Sequence, residues 1–242
     1  MKIIQHLPNT LTCGNLLCGC VGIVAVFQND LVLASYLIGV AAVLDFLDGF
    51  LARLLNAFSP IGKELDSLAD CVTFGVLPSV ILFSLFQQSF PGTVLAQQPI
   101  PPLCYLAFLI AIFSALRLAK FNVDTRQTNS FIGVPTPANA ILIGSLPLIM
   151  KSIFFASIVI LDQRFLIGLT LLMSYLLVAE IELFALKFKN YAWAGNQIKY
   201  VFLILSVVLL ASLQFVAIPL IIFLYVLLSV LNNRFSLQKI KD

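Results

Sequence analysis

The segment Leu44–Asp70, LDFLDGFLARLLNAFSPIGKELDSLAD, places four aspartates in a chain that is otherwise strongly apolar. They are Asp45, Asp48, Asp66 and Asp70. Carboxylates at membrane depth are expensive to bury, and such residues usually have a function. The number and spacing of these acids therefore decide how the fold and the function of the chain are interpreted.

The composition is that of an integral membrane protein. Of the 242 residues, 61% are hydrophobic and 10% are charged, whereas a soluble domain carries about 25% charged residues. Apolar stretches recur along the whole length, so we expect one membrane domain covering residues 1–242. The net charge of +3 is too small to indicate a nucleic-acid partner. The five cysteines lack metal-ligand spacing and are interpreted as small hydrophobic residues.

Long apolar runs predict an all-α, polytopic membrane helical bundle. A helix needs about 20 apolar residues to cross about 30 Å of hydrocarbon, and these runs do not alternate as the strands of a membrane barrel do. We predict about eight transmembrane helices, at 11–28, 31–55, 65–87, 102–120, 137–158, 164–187, 198–213 and 215–232.

The distribution of basic residues predicts the orientation. Eight spans put both termini on one side, and the other side then receives only Arg164 and Lys151. The side of the termini receives Lys2, Arg53, Lys63, Arg117, Lys120, Arg126, Lys187, Lys189, Lys199, Arg234, Lys239 and Lys241. The positive-inside rule therefore predicts that both termini and the loops 53–66 and 117–136 are cytoplasmic.

Helical geometry predicts that the four acids converge. Asp45 lies about 21 Å along the second span from Leu31, near its cytoplasmic end. Four residues share its helix face to within about 80°: Asp48, Gly49, Ala52 and Arg53. Asp66 and Asp70 are four residues apart on the next span and also point one way. Because the link at 54–65 is short, we expect one cytosol-facing cavity that contains all four carboxylates.

Such a cluster needs positive charge, since crowded carboxylates otherwise become protonated. Arg53 and Lys63 cannot balance four acids, but oxygen ligands suit Mg²⁺, Mn²⁺ or Ca²⁺. Four acids can hold two such ions about 3.5–4 Å apart, the arrangement that clamps a phosphoryl group during in-line displacement. Gly49 and Ala52 would leave room for a phosphate ligand. A buried salt-bridge network and the ion pathway of a transporter are the alternatives.

The spacing of the acids resembles the signature of the CDP-alcohol phosphatidyltransferase family. The pattern reads D-x-x-D-G-x-x-A-R from Asp45 to Arg53, then G-x-x-x-D-x-x-x-D from Gly62 to Asp70. The segments 7–19 and 117–140 resemble the phosphatidylserine synthase branch of that family, and 174–190 is compatible with it. The resemblance implies transfer of a phosphatidyl group from CDP-diacylglycerol to L-serine, with release of CMP.

The resemblance also implies roles for individual residues. Asp45, Asp48 and Asp66 would bind metal, and Asp70 would both bind metal and take the proton from the serine hydroxyl. The implied cofactor is a divalent cation, Mg²⁺ or Mn²⁺, with two ions bound. The residues expected to contact the CDP-linked substrate are Asn9, Thr12, Gly49, Arg53, Ser59 and Gly62. The family further implies a homodimer surrounded by membrane lipids. Together with the distribution of basic residues, we expect a location in the inner membrane with the active site facing the cytoplasm.

Several features allow a second interpretation. Arg117 and Asn122 either bind the serine carboxylate or a substrate phosphate, or simply belong to a basic loop that sets the topology. The turn GVPTP at 133–137 is interpreted as a rigid helix entry. Glu180 and Glu182 either pair with Lys187 at the surface, which is the favoured interpretation, or face a cytoplasmic cavity. The acceptor could instead be glycerol 3-phosphate or inositol phosphate. An ion-coupled transporter is the alternative from another class.

Overall fold

The computed structural model describes residues 6–57, 59–90, 99–124, 130–184, 193 and 196–238, with the backbone alone at 130–131 and 234–238. Within these ranges the chain is helical apart from one short pair of strands. The α-helices are α1 (Leu7–Phe27), α2 (Leu31–Leu54), α3 (Pro60–Asp70), α4 (Leu77–Gln88), α5 (Leu109–Val123), α6 (Thr136–Ser152), α7 (Ala156–Ile160), α8 (Gln163–Val178), α9 (Gln197–Leu213) and α10 (Ala217–Gln238).

Every predicted span contains a helix, and the all-α, polytopic prediction is confirmed. Among the described residues, five helical segments are long and apolar enough to cross a bilayer: Leu7–Phe27, Leu31–Leu54, Pro60–Gln88, Pro102–Val123 and Gln197–Asn233. The last of these is broken at Gln214, where φ is 49°. The rings of Phe202 and Tyr225, about equally far from this break, have centroids 5.4 Å apart. α9 and α10 are therefore antiparallel neighbours, as two separate spans require.

Two predicted spans are shorter than expected. The span predicted at 137–158 ends as α6 at Ser152, and Ile153 is extended. The span predicted at 164–187 ends at Val178, where the chain also becomes extended. Here the backbone N–H of Val134 donates to the carbonyl oxygen of Leu176 at 2.9 Å. That contact satisfies one of the last carbonyls of α8 and binds the start of α6 to the end of α8.

A small antiparallel ladder pairs the segment before α6 with the segment after α8. Its strands are β1 (Ser130–Ile132) and β2 (Glu182–Phe184). The hydroxyl of Tyr225 donates to the carbonyl oxygen of Phe184 at 2.7 Å, and Nδ2 of Asn233 donates to that of Glu182 at 2.7 Å. The ladder therefore attaches α10 to the rest of the bundle.

The central element is a rod formed by α3, the π turn Cys71–Val76 and α4, which run without a break from Pro60 to Gln88. In an apolar 18-residue stretch of this rod, 72% of the residues are buried, against 17–33% in the corresponding stretches of the other four spans. The π turn begins directly after Asp70. Single π turns inside α-helices are frequent at functional sites because they change the direction in which side chains project.

Two glycines bring α1 into close contact with the rod. A Cβ built on Gly19 would overlap the side chain of Thr73, and one on Gly22 would lie 2.5 Å from Cδ2 of Leu77. The hydroxyl of Thr73 donates to the carbonyl oxygen of Asn15 at 3.1 Å. This close packing fixes the polar first half of α1 beside the end of α3 that carries the acids.

The loops predicted to be cytoplasmic lie at one end of the bundle. Lys63 belongs to the loop predicted at 53–66 and Asn122 to the loop predicted at 117–136. Nζ of Lys63 donates to the carbonyl oxygen of Asn122 at 3.2 Å. The shared end agrees with the two spans that lie between these loops. Six of the basic residues used in the orientation argument lie outside the described residues: Lys2, Arg126, Lys187, Lys189, Lys239 and Lys241.

Candidate active site

Three aspartates meet where α2 runs beside the start of the rod. One carboxylate oxygen from each of Asp45, Asp48 and Asp66 lies within 4.8 Å of the other two. Asp45 and Asp48 are three residues apart on α2, so they project from one face. Asp66 reaches them from α3. The predicted convergence is therefore present for these three acids.

Asp70 extends the cluster into the protein interior. Its carboxyl group lies against that of Asp45, and the residue is only 8% exposed. Nδ2 of Asn15 donates to Oδ1 of Asp70 at 3.2 Å. Sequence reasoning missed Asn15. The signal was its position three residues after Thr12, which places both side chains on one face of α1.

Thr12 holds the second acid of the cluster. Its hydroxyl lies 2.6 Å from Oδ2 of Asp48 and 3.1 Å from the carbonyl oxygen of Pro8. A hydroxyl has a single proton to donate, and the shorter contact to a carboxylate is the stronger hydrogen bond. Thr12 and Asp48 are 3% and 6% exposed, so this bond is shielded from water.

The donor set fits a hard divalent cation. Asp45 lies against both Asp66 and Asp70, an arrangement that leaves like charges in contact. Such a cluster is unfavourable unless protons or a cation compensate it. Carboxylate oxygens gathered within bonding reach of one point are typical ligands of such ions. The cluster could therefore hold a metal ion.

An open cavity of about 230 Å³ lies beside the acids. It is formed by the start of α1, the end of α2 and the start of α3. Eight predicted site residues line it: Asn9, Thr12, Asp48, Gly49, Arg53, Ser59, Gly62 and Asp66. Lys63 also lines it and adds a second cation to Arg53. Asp48 and Asp66 thus form part of the wall of a space that also presents positive charge, as a diphosphate requires. Asp45 and Asp70 do not line it, so the prediction of one cavity containing all four carboxylates is met only for two of them.

The two glycines of the signature differ in their surroundings. A Cβ on Gly62 would lie 2.9 Å from Oδ1 of Asn9 and 3.0 Å from Oγ of Ser59. Ser59 also caps α3, since its Oγ accepts from the N–H of Gly62 at 2.9 Å. A Cβ on Gly49 would meet nothing nearer than Nη2 of Arg53, at 4.0 Å. Packing within the chain therefore explains Gly62 but not Gly49, whose missing side chain leaves space in the cavity.

Arg117 approaches Asp70 from α5. It is 8% exposed and close enough for the two charges to interact. Arg117 also lines a second cavity of about 310 Å³, which shares no lining residue with the first. The residues around that cavity are Arg117, Lys120, Phe121, Val123, Asp124, Ile132, Leu177, Val178 and Glu180. Arg117 thus connects the acids with a separate space.

Asn122 lines neither cavity. Its Nδ2 donates to Oγ of Ser67 at 2.8 Å, and its carbonyl oxygen accepts from Lys63. These bonds tie the end of α5 to the middle of α3. The structure therefore places Asn122 where it positions the helix that carries Asp66 and Asp70.

This chain belongs to the CDP-alcohol phosphatidyltransferase family, whose sequence model matches residues 5–178. Within the family it is similar to proteins named CDP-diacylglycerol–serine O-phosphatidyltransferase. The one from Helicobacter pylori strain J99 is 32% identical over 235 residues, covering 96% of this chain and 93% of the relative. The one from Bacillus subtilis strain 168 is 35% identical over 179 residues, covering 74% and 90%. The one from Methanocaldococcus jannaschii is 29% identical over 161 residues, covering 66% of each.

Proposed function

We propose that the protein transfers the phosphatidyl group of CDP-diacylglycerol to the hydroxyl of L-serine and releases CMP. The observation that carries this proposal is the meeting of Asp45, Asp48 and Asp66, with Asp70 behind them, beside an open cavity. The names of the relatives support the choice of donor and acceptor.

The four aspartates would hold the divalent cation, which we propose to be Mg²⁺ or Mn²⁺ and to bind as two ions. Bound there, it would neutralise the diphosphate and the charge that develops on the phosphoryl oxygens. Thr12 and Asn15 orient Asp48 and Asp70 through the hydrogen bonds described above. Such supporting bonds fix the direction in which a ligating carboxylate points.

Asp70 is the proposed general base. A serine hydroxyl is a poor nucleophile at neutral pH and needs a positioned proton acceptor. Asp70 accepts that proton as the serine oxygen bonds to the phosphorus of the phosphatidyl group. The bond from this phosphorus to the bridging oxygen breaks, and CMP leaves with the bonding electrons. Asn15 holds one oxygen of Asp70, and Arg117 compensates negative charge nearby.

The open cavity between α1, α2 and α3 is the proposed site of the CDP group. Arg53 and Lys63 would pair with phosphate oxygens, and the space beside Gly49 would admit the phosphate close to the backbone. Asn9 and Thr12, at the start of α1, would border the cytidine. The remaining contacts would come from the turn that begins α3, with Ser59 and Gly62.

The proposed location is the inner membrane, with the active site and both termini on the cytoplasmic side. The positive-inside rule supports this orientation, as does the shared end of the loops at Lys63 and Asn122. The acyl chains of the donor would remain in the bilayer while its diphosphate reaches the acids. We further propose that residues 1–242 act as one membrane domain and that the protein is a homodimer.

The proposal is tested with purified protein in detergent, CDP-diacylglycerol and added Mg²⁺ or Mn²⁺. Radiolabelled L-serine, glycerol 3-phosphate and inositol phosphate are supplied in parallel, and CMP and labelled lipid are measured. We expect CMP release with serine alone. Release with a phosphorylated acceptor instead would move the protein to another reaction of the same family. No CMP with any acceptor would favour the transporter alternative.

A further inference from the structure

Buried polar side chains on three helices have atoms without a hydrogen-bond partner in the part of the chain that the structure describes. On these three helices they are five residues: Ser114 and Arg117 on α5, Thr136 and Asn139 on α6, and Ser174 on α8. Oδ1 of Asn15, on α1, also lacks a partner. All five are more than nine-tenths buried. An unpaired polar group in a membrane interior costs several kcal/mol. Unpaired groups on neighbouring helices therefore indicate a partner such as water or a polar ligand.

These helices come together beside the proposed base. α5 and α6 both pack against the π turn that follows Asp70, and α8 packs against α5 and α6. Gly75 of this turn touches Ser114, since a Cβ on Gly75 would lie 3.1 Å from the Cβ of Ser114. The bond from Val134 to Leu176 places Thr136, two residues later, near the end of α8. Arg117 completes the connection through its charge interaction with Asp70.

The second cavity leads from the surface to Arg117, the one of these five residues that lines it. Arg117 lines it as a buried residue, whereas Lys120 and Glu180 line it as exposed ones. The cavity therefore presents both signs of charge at its edge and a guanidinium inside. A small zwitterion matches this pattern better than a phosphorylated alcohol, which would need more positive charge.

We propose that Arg117, Thr136, Asn139 and Ser174 bind the amino and carboxylate groups of the acceptor amino acid, an inference that rests on the proposed function. Nε of Arg117 and Nδ2 of Asn139 have free donors for a carboxylate. Hydroxyl oxygens and the Asn139 carbonyl accept hydrogen bonds from an ammonium group. Thr136 is then a specificity residue as well as part of the helix entry predicted at 133–137.

Buried water is the competing partner, and isosteric apolar substitutions separate the two. Replacing a polar group that lacks a protein partner removes its desolvation cost, so the folded state should not lose stability. If water alone occupies the region, the Michaelis constant for serine stays unchanged. If serine binds there, the constant rises while the protein remains folded.

The experiment compares Thr136→Val, Asn139→Leu and Ser174→Ala with wild type, each as the full chain in lipid nanodiscs. We expect the KM for serine to rise about tenfold or more, because about 1.4 kcal/mol of hydrogen bonding is lost. The KM for CDP-diacylglycerol should stay unchanged. The melting temperature should stay unchanged or rise. Thr136→Ser, which keeps the hydroxyl, should restore the serine KM to within about threefold.

Two buried hydroxyls with partners serve as matched controls. On α6, Oγ of Ser145 donates to the carbonyl oxygen of Leu142 at 2.6 Å. On α8, the Thr170 hydroxyl donates to the carbonyl oxygen of Leu166 at 2.7 Å. Ser145→Ala and Thr170→Val should leave the serine KM unchanged.

An unchanged serine KM in Thr136→Val and Ser174→Ala overturns this inference, whether or not Asn139→Leu folds. A rise of similar size in the two controls also overturns it, since the effect would then come from general loosening of the helices. Wild-type protein is assayed with serine, glycerol 3-phosphate and inositol phosphate in the same series. Failure of wild type to use serine refutes the proposed function itself, which is a distinct result.

Discussion

Thr12→Val should weaken metal binding without removing any metal ligand. The substitution keeps the shape of the side chain and deletes the hydroxyl that donates to Oδ2 of Asp48 at 2.6 Å. Both residues are almost fully buried, and the methyl group of valine fills the place of the hydroxyl with a group that cannot donate. Asp48 would then be free to rotate away from Asp45 and Asp66.

The magnitude follows from the kind of bond. A hydrogen bond to an ionised group contributes about 1.5–3 kcal/mol, and about 1.4 kcal/mol corresponds to a factor of ten. Loss of a bond that orients a metal ligand typically lowers metal affinity about 10–100-fold. We therefore expect the Mg²⁺ or Mn²⁺ concentration that gives half-maximal activity to rise by about 10–100-fold.

The assay titrates the metal ion at saturating CDP-diacylglycerol and serine, and measures CMP release. A second titration without substrates follows the melting temperature, so that a change in substrate binding is not mistaken for a change in metal binding. Thr10→Val is the matched control, because Thr10 lies on the same helix and its hydroxyl donates to the carbonyl oxygen of His6, at an exposed position. The reasoning is refuted if Thr12→Val and Thr10→Val show the same metal dependence.

Three further outcomes are expected. Asp70→Asn should abolish CMP release because the amide cannot accept the serine proton, while circular dichroism shows an intact helical fold; retained turnover would exclude Asp70 as the base. Gly49→Ala should leave the melting temperature unchanged, since the added methyl meets no atom within 4 Å except Nη2 of Arg53, yet raise the KM for CDP-diacylglycerol; an unchanged KM would argue against a phosphate at this position. Asn122→Ala should destabilise the protein by about 1–2 kcal/mol through loss of its bond to Ser67, measured by thermal unfolding, with little change in the serine KM; a large change in that KM would instead support a direct contact with the acceptor.

Features that depend on local spacing could be predicted from the sequence. The apolar runs gave the helical segments because crossing a membrane needs a fixed length. The meeting of Asp45 and Asp48 follows from helical periodicity, and that of Asp66 with them from the short link between α2 and α3. Eight of the predicted residues do line one cavity.

Features that depend on contacts between distant segments could not be predicted from the sequence. Asn15 and Asp70 are 55 positions apart in the sequence, and the residues around Asn15 do not indicate that Asp70 is its partner. The early end of α8 lies beside the bond between Val134 and Leu176, a contact that hydropathy cannot indicate. Asn122 looks like a ligand in sequence because it lies in a basic loop, whereas its contacts join α5 to α3.

The π turn after Asp70 makes the site sensitive to the count of residues at one place. Each residue added to or removed from a helix rotates all that follows by about 100° relative to what precedes. The π turn between Cys71 and Val76 already accommodates one residue more than an α-helical turn would. A further residue inserted there could not be absorbed in the same way and would rotate α4 relative to α3. The lengthened rod would still span the bilayer, but its two halves would no longer face their present neighbours together. A single-codon insertion there would thus separate membrane insertion from chemistry.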